Sequence, residues 1–349
     1  MDKFITRMGD GYRIEMTAEE IRQDIADGAA DAADRGNIPA LSTEDQERLF
    51  KIITMPGNMV GVELGQEIVT TSDSGSTKLN YNASIAMDRI TAVQVHERGF
   101  GNDSVDIGMI DYCYKAAKAV MHDEASQMQL CLTQSVMPVF FGAMTNLGIY
   151  TKPDGPVGNW AELLPQGKIK EAWEAQEEAI EHAVKDIVYV AEGMYAVGAD
   201  ALNFDTSGAS GDADFLAALK AVEIIKEKCP NLGIEIGMAG EFVLGMHGKL
   251  EYKGTRLAGL YPHQQVKVCQ QAGASIFGAV VNTNTNFSLA WNLARVCTFL
   301  QACTDAADIP VHANVGMGVC AMPMSDNPAL DAVSRIDKAL VEIAKVDGF

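Results

Sequence analysis

The stretch from Gly233 to His312 constrains the fold of this chain most strongly. Segments with helical periodicity alternate there with three short apolar runs, at 234–238, 275–281 and 309–315. A strand that is covered on both faces has no polar side, so such runs are typical of buried parallel strands joined by helices. Comparable runs at 200–205 and at the start of 346–349 extend the pattern in both directions. The chain is therefore expected to be an α/β protein built from repeated strand–helix units.

Polar residues stand at or near the ends of these predicted strands. Asp205 ends the run at 200–205, and the residues associated with the later runs are Glu241, Asn282, Asn284 and His312. In an α/β barrel the reactive groups lie at the carboxyl ends of the strands. No GxGxxG sequence follows a predicted strand, and the polar residues follow several successive strands rather than one switch point. We therefore predict a TIM-type (β/α)8 barrel rather than a doubly wound sheet.

The chain divides into two predicted parts. Residues 1–57 are expected to form a helical N-terminal extension with two capping boxes, at Thr17–Glu20 and at Thr43–Gln46. The barrel domain is expected at 58–349. Its last helical segment is followed by VDGF, which is typical of an opening strand. We therefore expect the barrel to be incomplete at its C-terminus and cut before its final strand or strands.

Composition narrows the class of partner. The formal net charge of −20 argues against nucleic acid and anionic membranes as binding partners, because both are negatively charged and bind surfaces rich in Lys and Arg. It would suit a cationic substrate, although a soluble acidic surface is the favoured explanation. The seven cysteines include no CxxC pair, which favours a reducing cytoplasm over a disulfide framework. Without HxxxH or CxxC spacing we expect no metal site, and without an apolar run of membrane length we expect no membrane association.

Eight collinear segments carry a resemblance to a known family. They are MGDGYR at 8–13, HERGFG at 96–101, FGAMTNLGIYTKPDGP at 141–156, NFDTSGASGDADF at 203–215, MAGEFVLGMHGKLEYKGTRLAGLYPHQQ at 238–265, VVNTNTN at 280–286, WNLARVCTF at 291–299 and IPVHANVGMGV at 309–319. None of them is a general chemical motif, but their order along the chain is specific. The chain resembles the dimethylamine methyltransferases of methanogenic archaea.

The resemblance implies a reaction and a partner. It implies transfer of a methyl group from dimethylamine to the Co(I) of a cognate corrinoid protein, with release of monomethylamine, in methanogenesis from methylamines. The corrinoid (cobalamin) would be carried by the partner, so no cofactor is expected to bind directly, and a homo-oligomer is expected. Members of the family carry pyrrolysine, encoded by an amber codon, and we expect it directly after Phe349. The 349-residue chain by itself is accordingly expected to be inactive.

The candidate site residues follow from the strand ends. The resemblance implies that the imine of pyrrolysine adds the amine. Asp205, Glu241 and His312 are the candidate catalytic groups, because protonation of that imine requires acids beside it. Asn282 and Asn284 are candidate substrate-binding groups. A structural role competes with each of these assignments, and for Glu235 within its strand a structural carboxylate is the favoured interpretation.

Two other functions remain open. The chain could be a non-catalytic protein that binds the corrinoid partner, as the product of termination at the amber codon. It could also be a phosphate-handling lyase or isomerase with AGASIFGAVVN, at 272–282, as its phosphate loop. The lack of Lys and Arg near that loop counts against the second alternative.

Overall fold

The computed structural model describes residues 3–66, 68–73, 103–107, 140–143, 147–325 and 328–349. The HERGFG segment at 96–101 lies outside this part of the chain. Two compact units are present. The first contains the described residues within 3–72, 103–105 and 279–349, and the second contains those within 106–278.

The described elements alternate between strands and helices over most of the chain. The strands are β1 (Lys3–Arg7), β2 (Arg13–Thr17), β3 (Val69–Asp73), β4 (Asp103–Ile107), β5 (Phe140–Ala143), β6 (Ala201–Ser207), β7 (Gly233–Met238), β8 (Glu251–Tyr252), β9 (Thr255–Arg256), β10 (Ile276–Ala279) and β11 (Val311–Ala313). The helices are α1 (Ala18–Gly36), α2 (Thr43–Thr54), α3 (Trp160–Leu163), α4 (Ile169–Ala196), α5 (Asp212–Lys228), α6 (Pro262–Ala272), α7 (Leu289–Ala306) and α8 (Leu330–Ala339). A π-helical turn at Leu340–Ala344 continues α8.

A parallel sheet forms the centre of the second unit. Its strands are hydrogen-bonded in the order β4, β5, β6, β7 and β10, and every pairing among these five strands is parallel. One face of this sheet is apolar and is at most 1% exposed, with Leu202, Phe204, Ile234, Ile236 and Phe277 on it. Because side chains alternate along a strand, the residues between these positions lie on the opposite face.

The positions of these strands agree with the sequence analysis. Strands expected near 200, 234, 275 and 309 begin at Ala201, Gly233, Ile276 and Val311. An α/β fold with a parallel sheet is therefore confirmed, while closure into a (β/α)8 barrel stays a prediction.

The last described residues of the first unit form a hydrogen bond and a parallel bridge with β11. The N–H of Ala313 donates to the Gly348 oxygen at 2.9 Å, and His312 forms a parallel bridge with Gly348. On the other side, the N–H of Asn314 donates to the Ala279 oxygen at 2.9 Å. The expected strand character of VDGF is thus present.

The N-terminal segment differs from the expected all-helical extension. Residues 3–17 form an antiparallel hairpin of β1 and β2 before the first helix begins. Each of its strands has only five residues, which is too short for an alternating pattern to be distinctive. The predicted capping box of Thr17 and Glu20 is present at the start of α1. The predicted cap at Thr43 is wrong by one residue, because the hydroxyl of Ser42 accepts the N–H of Asp45.

Buried polar side chains connect α8 to the segment that follows α2. The Arg335 guanidinium donates to the backbone oxygens of Ile53, Met55 and Gly57, and Lys338 Nζ donates to the Gly61 oxygen at 2.8 Å. These bonds satisfy carbonyl groups that have no ladder partner. The hydrogen bonds from Arg335 and Lys338 hold this irregular segment in place, although it is not part of a strand. No helix in the described part of the chain combines the length and the apolar character needed to cross a membrane.

Candidate functional site

The second unit carries a polar sheet face opposite its apolar one. Asn203 on β6 lies in register with Glu235 on β7, so both side chains lie on this face. Gly237 on β7 and Gly278 on β10 lie in register with each other on the same face. We call this set of four residues the polar face.

The polar face is buried, and two of its four positions carry no side chain. Asn203 is 7% exposed and Glu235 is 5% exposed. A Cβ atom at position 278 would lie 2.8 Å from the Gly237 Cα and 3.5 Å from Glu235 Oε1. Glycine inside a strand often marks a place where another group approaches closely. A side chain at position 278 would therefore clash with the backbone of β7, and the two glycines allow β7 and β10 to approach closely.

The Asn203 amide contributes an available acceptor to this face. Its Oδ1 atom is buried and has no hydrogen-bond partner among the described residues. A buried polar atom without a partner is uncommon in a folded protein, because it loses its bond to water. A donor placed beside Asn203 and Glu235 would satisfy that oxygen.

Asp205 lies where the ladder between β6 and β7 becomes irregular. The register of the two strands shifts between Phe204 and Ser207, and pairing resumes at Met238. The N–H of Ala239 then donates to the Ser207 oxygen at 2.8 Å. Bulges of this kind occur preferentially next to active sites, where they redirect a side chain. The backbone at Asp205 is therefore consistent with the predicted site.

Glu241 lies in the irregular segment that follows β7. It is 3% exposed, and its backbone oxygen accepts a hydrogen bond from Gln265 Nε2 at 3.3 Å. The same nitrogen donates to the Leu260 oxygen at 2.8 Å. A fully buried glutamine of α6 thus holds both ends of the loop that carries Glu241.

The other three predicted residues belong to the first unit. His312 is buried on β11, at 5% exposure. Asn282 is exposed after β10, and its backbone oxygen accepts from Arg295 Nη1. Asn284 Oδ1 accepts the N–H of Asn286 at 3.0 Å, and Asn292 binds the Asn284 backbone at both its N–H and its oxygen. One polar atom of the Asn284 side chain therefore already serves to close its own turn.

The structure thus groups the predicted residues by unit. Asp205 and Glu241 lie in the second unit, as do Asn203 and Glu235, while Asn282, Asn284 and His312 lie in the first. Sequence reasoning did not select Asn203. The available signal was a polar residue two positions before Asp205 in the apolar run DALNFD, since residues two apart share a sheet face.

A second polar cluster in the same unit has structural contacts. His247 is buried, its Nε2 lies 2.9 Å from Glu177 Oε1, and its ring stacks on Trp173 with centroids 5.3 Å apart. The carboxylate of Asp212, at the start of α5, accepts the N–H groups of His247 and Gly248 at 2.8 and 2.6 Å. These bonds fix the loop after β7.

A family model described as dimethylamine methyltransferase (Dimeth_PyL) matches residues 2–349. The chain belongs to the dimethylamine methyltransferase family. The resemblance drawn from the eight segments is thereby confirmed, and the protein is a methyltransferase of methylamine metabolism.

Several solved structures show a weak likeness to this family member. The YdjI aldolase from Escherichia coli K12 is 13% identical, with 59% of this chain and 79% of that chain covered and a TM-score of 0.23. The homocysteine methyltransferase MmuM from Escherichia coli, metallated form, is 11% identical, with coverage of 78% and 88% and a TM-score of 0.24. A thermostable mutant of the xylanase Xyn10A from Cellvibrio japonicus is 10% identical, with coverage of 82% and 99% and a TM-score of 0.27.

Two buried thiols of this methyltransferase are poorly suited to accept a methyl group. Cys297 and Cys303 are buried, and burial raises the pKa of both thiols well above the usual range. The thiolate is the reactive form of cysteine, so these two side chains stay protonated and inert. No group of three or more His, Cys, Asp or Glu side chains suited to a metal ion occurs within the described ranges.

Proposed function

We propose that this protein transfers a methyl group from dimethylamine to the Co(I) of a cognate corrinoid protein and releases monomethylamine. The observation that carries the proposal is the family match over residues 2–349. The corrinoid protein is the methyl acceptor, and its cobalt supplies the nucleophile. The groups of this chain would bind the amine, orient it and exclude water.

The chemistry defines what the amine site must provide. A neutral secondary amine has a poor leaving group, so the nitrogen must carry positive charge when its bond to the methyl carbon breaks. The electron pair of that C–N bond stays on nitrogen, and monomethylamine then leaves as the neutral amine. A site for this reaction has to hold a small cation still, with one methyl group directed toward the acceptor.

The polar face meets these requirements for a cation. A dimethylammonium ion has two N–H donors, and the Glu235 carboxylate and the Asn203 oxygen are two acceptors side by side on neighbouring strands. A buried carboxylate gains free energy from a cationic partner, because burial has removed its water.

The remaining candidates keep their proposed roles. Asp205 and Glu241 would add negative charge around the amine from the ends of β6 and β7. His312 remains a candidate acid–base group, and Asn282 and Asn284 remain candidate hydrogen-bonding groups. The structural contacts of Asn284 make it the weakest of the set.

The reaction itself is testable with the product of the complete gene. We expect dimethylamine to methylate the Co(I) corrinoid protein, seen as loss of the Co(I) absorption, with one monomethylamine formed per methyl group transferred. Monomethylamine and trimethylamine serve as the control substrates. Methylation by either control amine at the rate seen with dimethylamine, or no methylation by dimethylamine, would contradict the proposal.

The amine site is testable with Glu235→Gln. We expect kcat/KM for dimethylamine to fall by about 100-fold, because loss of one partner of a buried charge pair costs roughly 2–5 kcal/mol. Glu227→Gln, at an exposed position on α5, is the matched control and should leave kcat/KM within about twofold of wild type. Circular dichroism of both variants establishes that each is folded. Equal activities of the two folded variants would remove Glu235 from the site.

A further inference from the structure

The first unit contains a pocket whose lining is basic although the chain as a whole is acidic. The pocket has a volume of about 670 Å³ and lies between the β1–β2 hairpin, the end of α2 and the start of α8. Pockets of roughly 300–1,000 Å³ hold small-molecule ligands. Four basic side chains and one carboxylate are among its described lining residues: Lys3, Arg7, Arg13, Arg335 and Asp331.

The positive charge in this pocket exceeds the negative charge. Arg7 Nε donates to both Asp331 carboxylate oxygens at 2.9 Å, so that carboxylate is already engaged. Arg335 is 8% exposed, and its guanidinium donates to four neutral backbone oxygens. Among the described lining residues, the Asp331 carboxylate is therefore the one negative charge beside the two guanidinium groups of Arg7 and Arg335, which are partly and fully buried.

Arg13 adds to the excess of positive charge at the rim of the pocket. It lies directly opposite Arg7 in the hairpin register, and like charges at such positions repel each other. The Arg13 side chain is exposed and makes no hydrogen bond or ion pair with the described residues. Lys3, also at the rim, makes an exposed ion pair to Glu15 at 3.5 Å.

Two further features of the pocket favour an anion. The first residues of α8 line it, and the helix-capping position Ala329 provides no side-chain bond to the first turn. The lining residue Thr6 is 4% exposed, and its hydroxyl has no partner among the described residues. Guanidinium groups bind carboxylates and phosphates with paired hydrogen bonds.

We propose that this pocket binds a small anion that carries at least two acidic groups. One acidic group would engage Arg13 at the rim, and the other would lie toward Arg7 and Arg335. The net charge of the chain, −20, disfavours non-specific anion binding elsewhere. The pocket's basic lining therefore gives it selectivity for an anion that the rest of the surface repels.

The test is calorimetric titration of the purified protein at constant ionic strength, with citrate as the polycarboxylate and pyrophosphate as the phosphate compound. We expect saturable one-to-one binding of at least one of them. Arg13→Gln should raise its Kd by about tenfold, the loss expected for one charged hydrogen bond. Arg256→Gln, at an exposed arginine of β9 outside the pocket, is the matched control and should leave the Kd within about twofold.

Two outcomes would overturn the proposal. One is that neither citrate nor pyrophosphate shows saturable binding. The other is that Arg13→Gln and Arg256→Gln bind the anion equally well. The choice between citrate and pyrophosphate identifies the chemistry of the natural ligand.

Discussion

Asp337→Asn is expected to stabilise the protein at neutral pH by about 3 kcal/mol. Asp337 is 4% exposed on α8, and its Oδ1 atom has no hydrogen-bond partner among the described residues. Burial raises the pKa of this carboxyl group to about 8. At pH 7 the folded protein therefore keeps the proton, whereas the unfolded chain, with a pKa of about 3.9, releases it.

The direction of the pH dependence follows from this difference. Between pH 4 and pH 8 the folded state binds more protons than the unfolded state, so the contribution of Asp337 to stability falls by about 1.4 kcal/mol per pH unit. Below pH 4 both states are protonated and the penalty disappears. Asparagine is neutral in both states, so the substitution removes a penalty of about 4 kcal/mol from the free energy of unfolding at pH 7. The extra buried N–H group costs about 1 kcal/mol, which leaves a net stabilisation of about 3 kcal/mol.

The measurement is the free energy of unfolding from denaturant titrations at pH 4 and pH 7. Asp337→Asn should exceed wild type at pH 7 and lose that advantage at pH 4. Comparing variant with wild type at each pH cancels the contributions of other titrating groups. Asp34→Asn, at an exposed position of α1, is the control and should stay within about 0.5 kcal/mol of wild type at both pH values. A pH-independent effect of Asp337→Asn would show that its carboxyl has an ordinary pKa.

The sheet of the second unit was predictable because its strands are buried on both sides of the backbone. Runs such as GIEIGM have no solvated residues, so their position could be located within two residues of Ala201, Gly233 and Ile276. The hairpin of β1 and β2 was not predictable by the same reasoning. Its strands are short, and the helical signal of Thr17 and Glu20 follows immediately.

The candidate site was only partly predictable from strand ends. That reasoning selected Asp205 and Glu241, which lie in the second unit, but it treated Glu235 as structural and passed over Asn203. Their common location depends on the register of β6 against β7, which sequence periodicity alone does not determine. The assignment of residues to sheet faces therefore required the strand pairing.

Gly28→Ala is expected to destabilise the protein by about 3 kcal/mol, although alanine is normally the better helix former by about 1 kcal/mol. Gly28 lies in α1 where that helix packs on α7. A Cβ atom at this position would lie 2.1 Å from the Trp291 backbone oxygen and 2.9 Å from its carbonyl carbon. A backbone atom cannot rotate away as a side chain can, so α1 and α7 would have to separate.

The matched control substitution is expected to change the stability in the opposite direction. Gly193 is an exposed glycine of α4, and a Cβ atom there would meet nothing within 4 Å. Gly193→Ala should therefore stabilise the protein by about 0.5–1 kcal/mol, since it gains helix propensity without a clash. Thermal unfolding of both variants, with wild type, checks the pair. If both variants melt above wild type, α1 and α7 can adjust to the extra methyl group, and the close helix contact at Gly28 does not set the stability of the first unit.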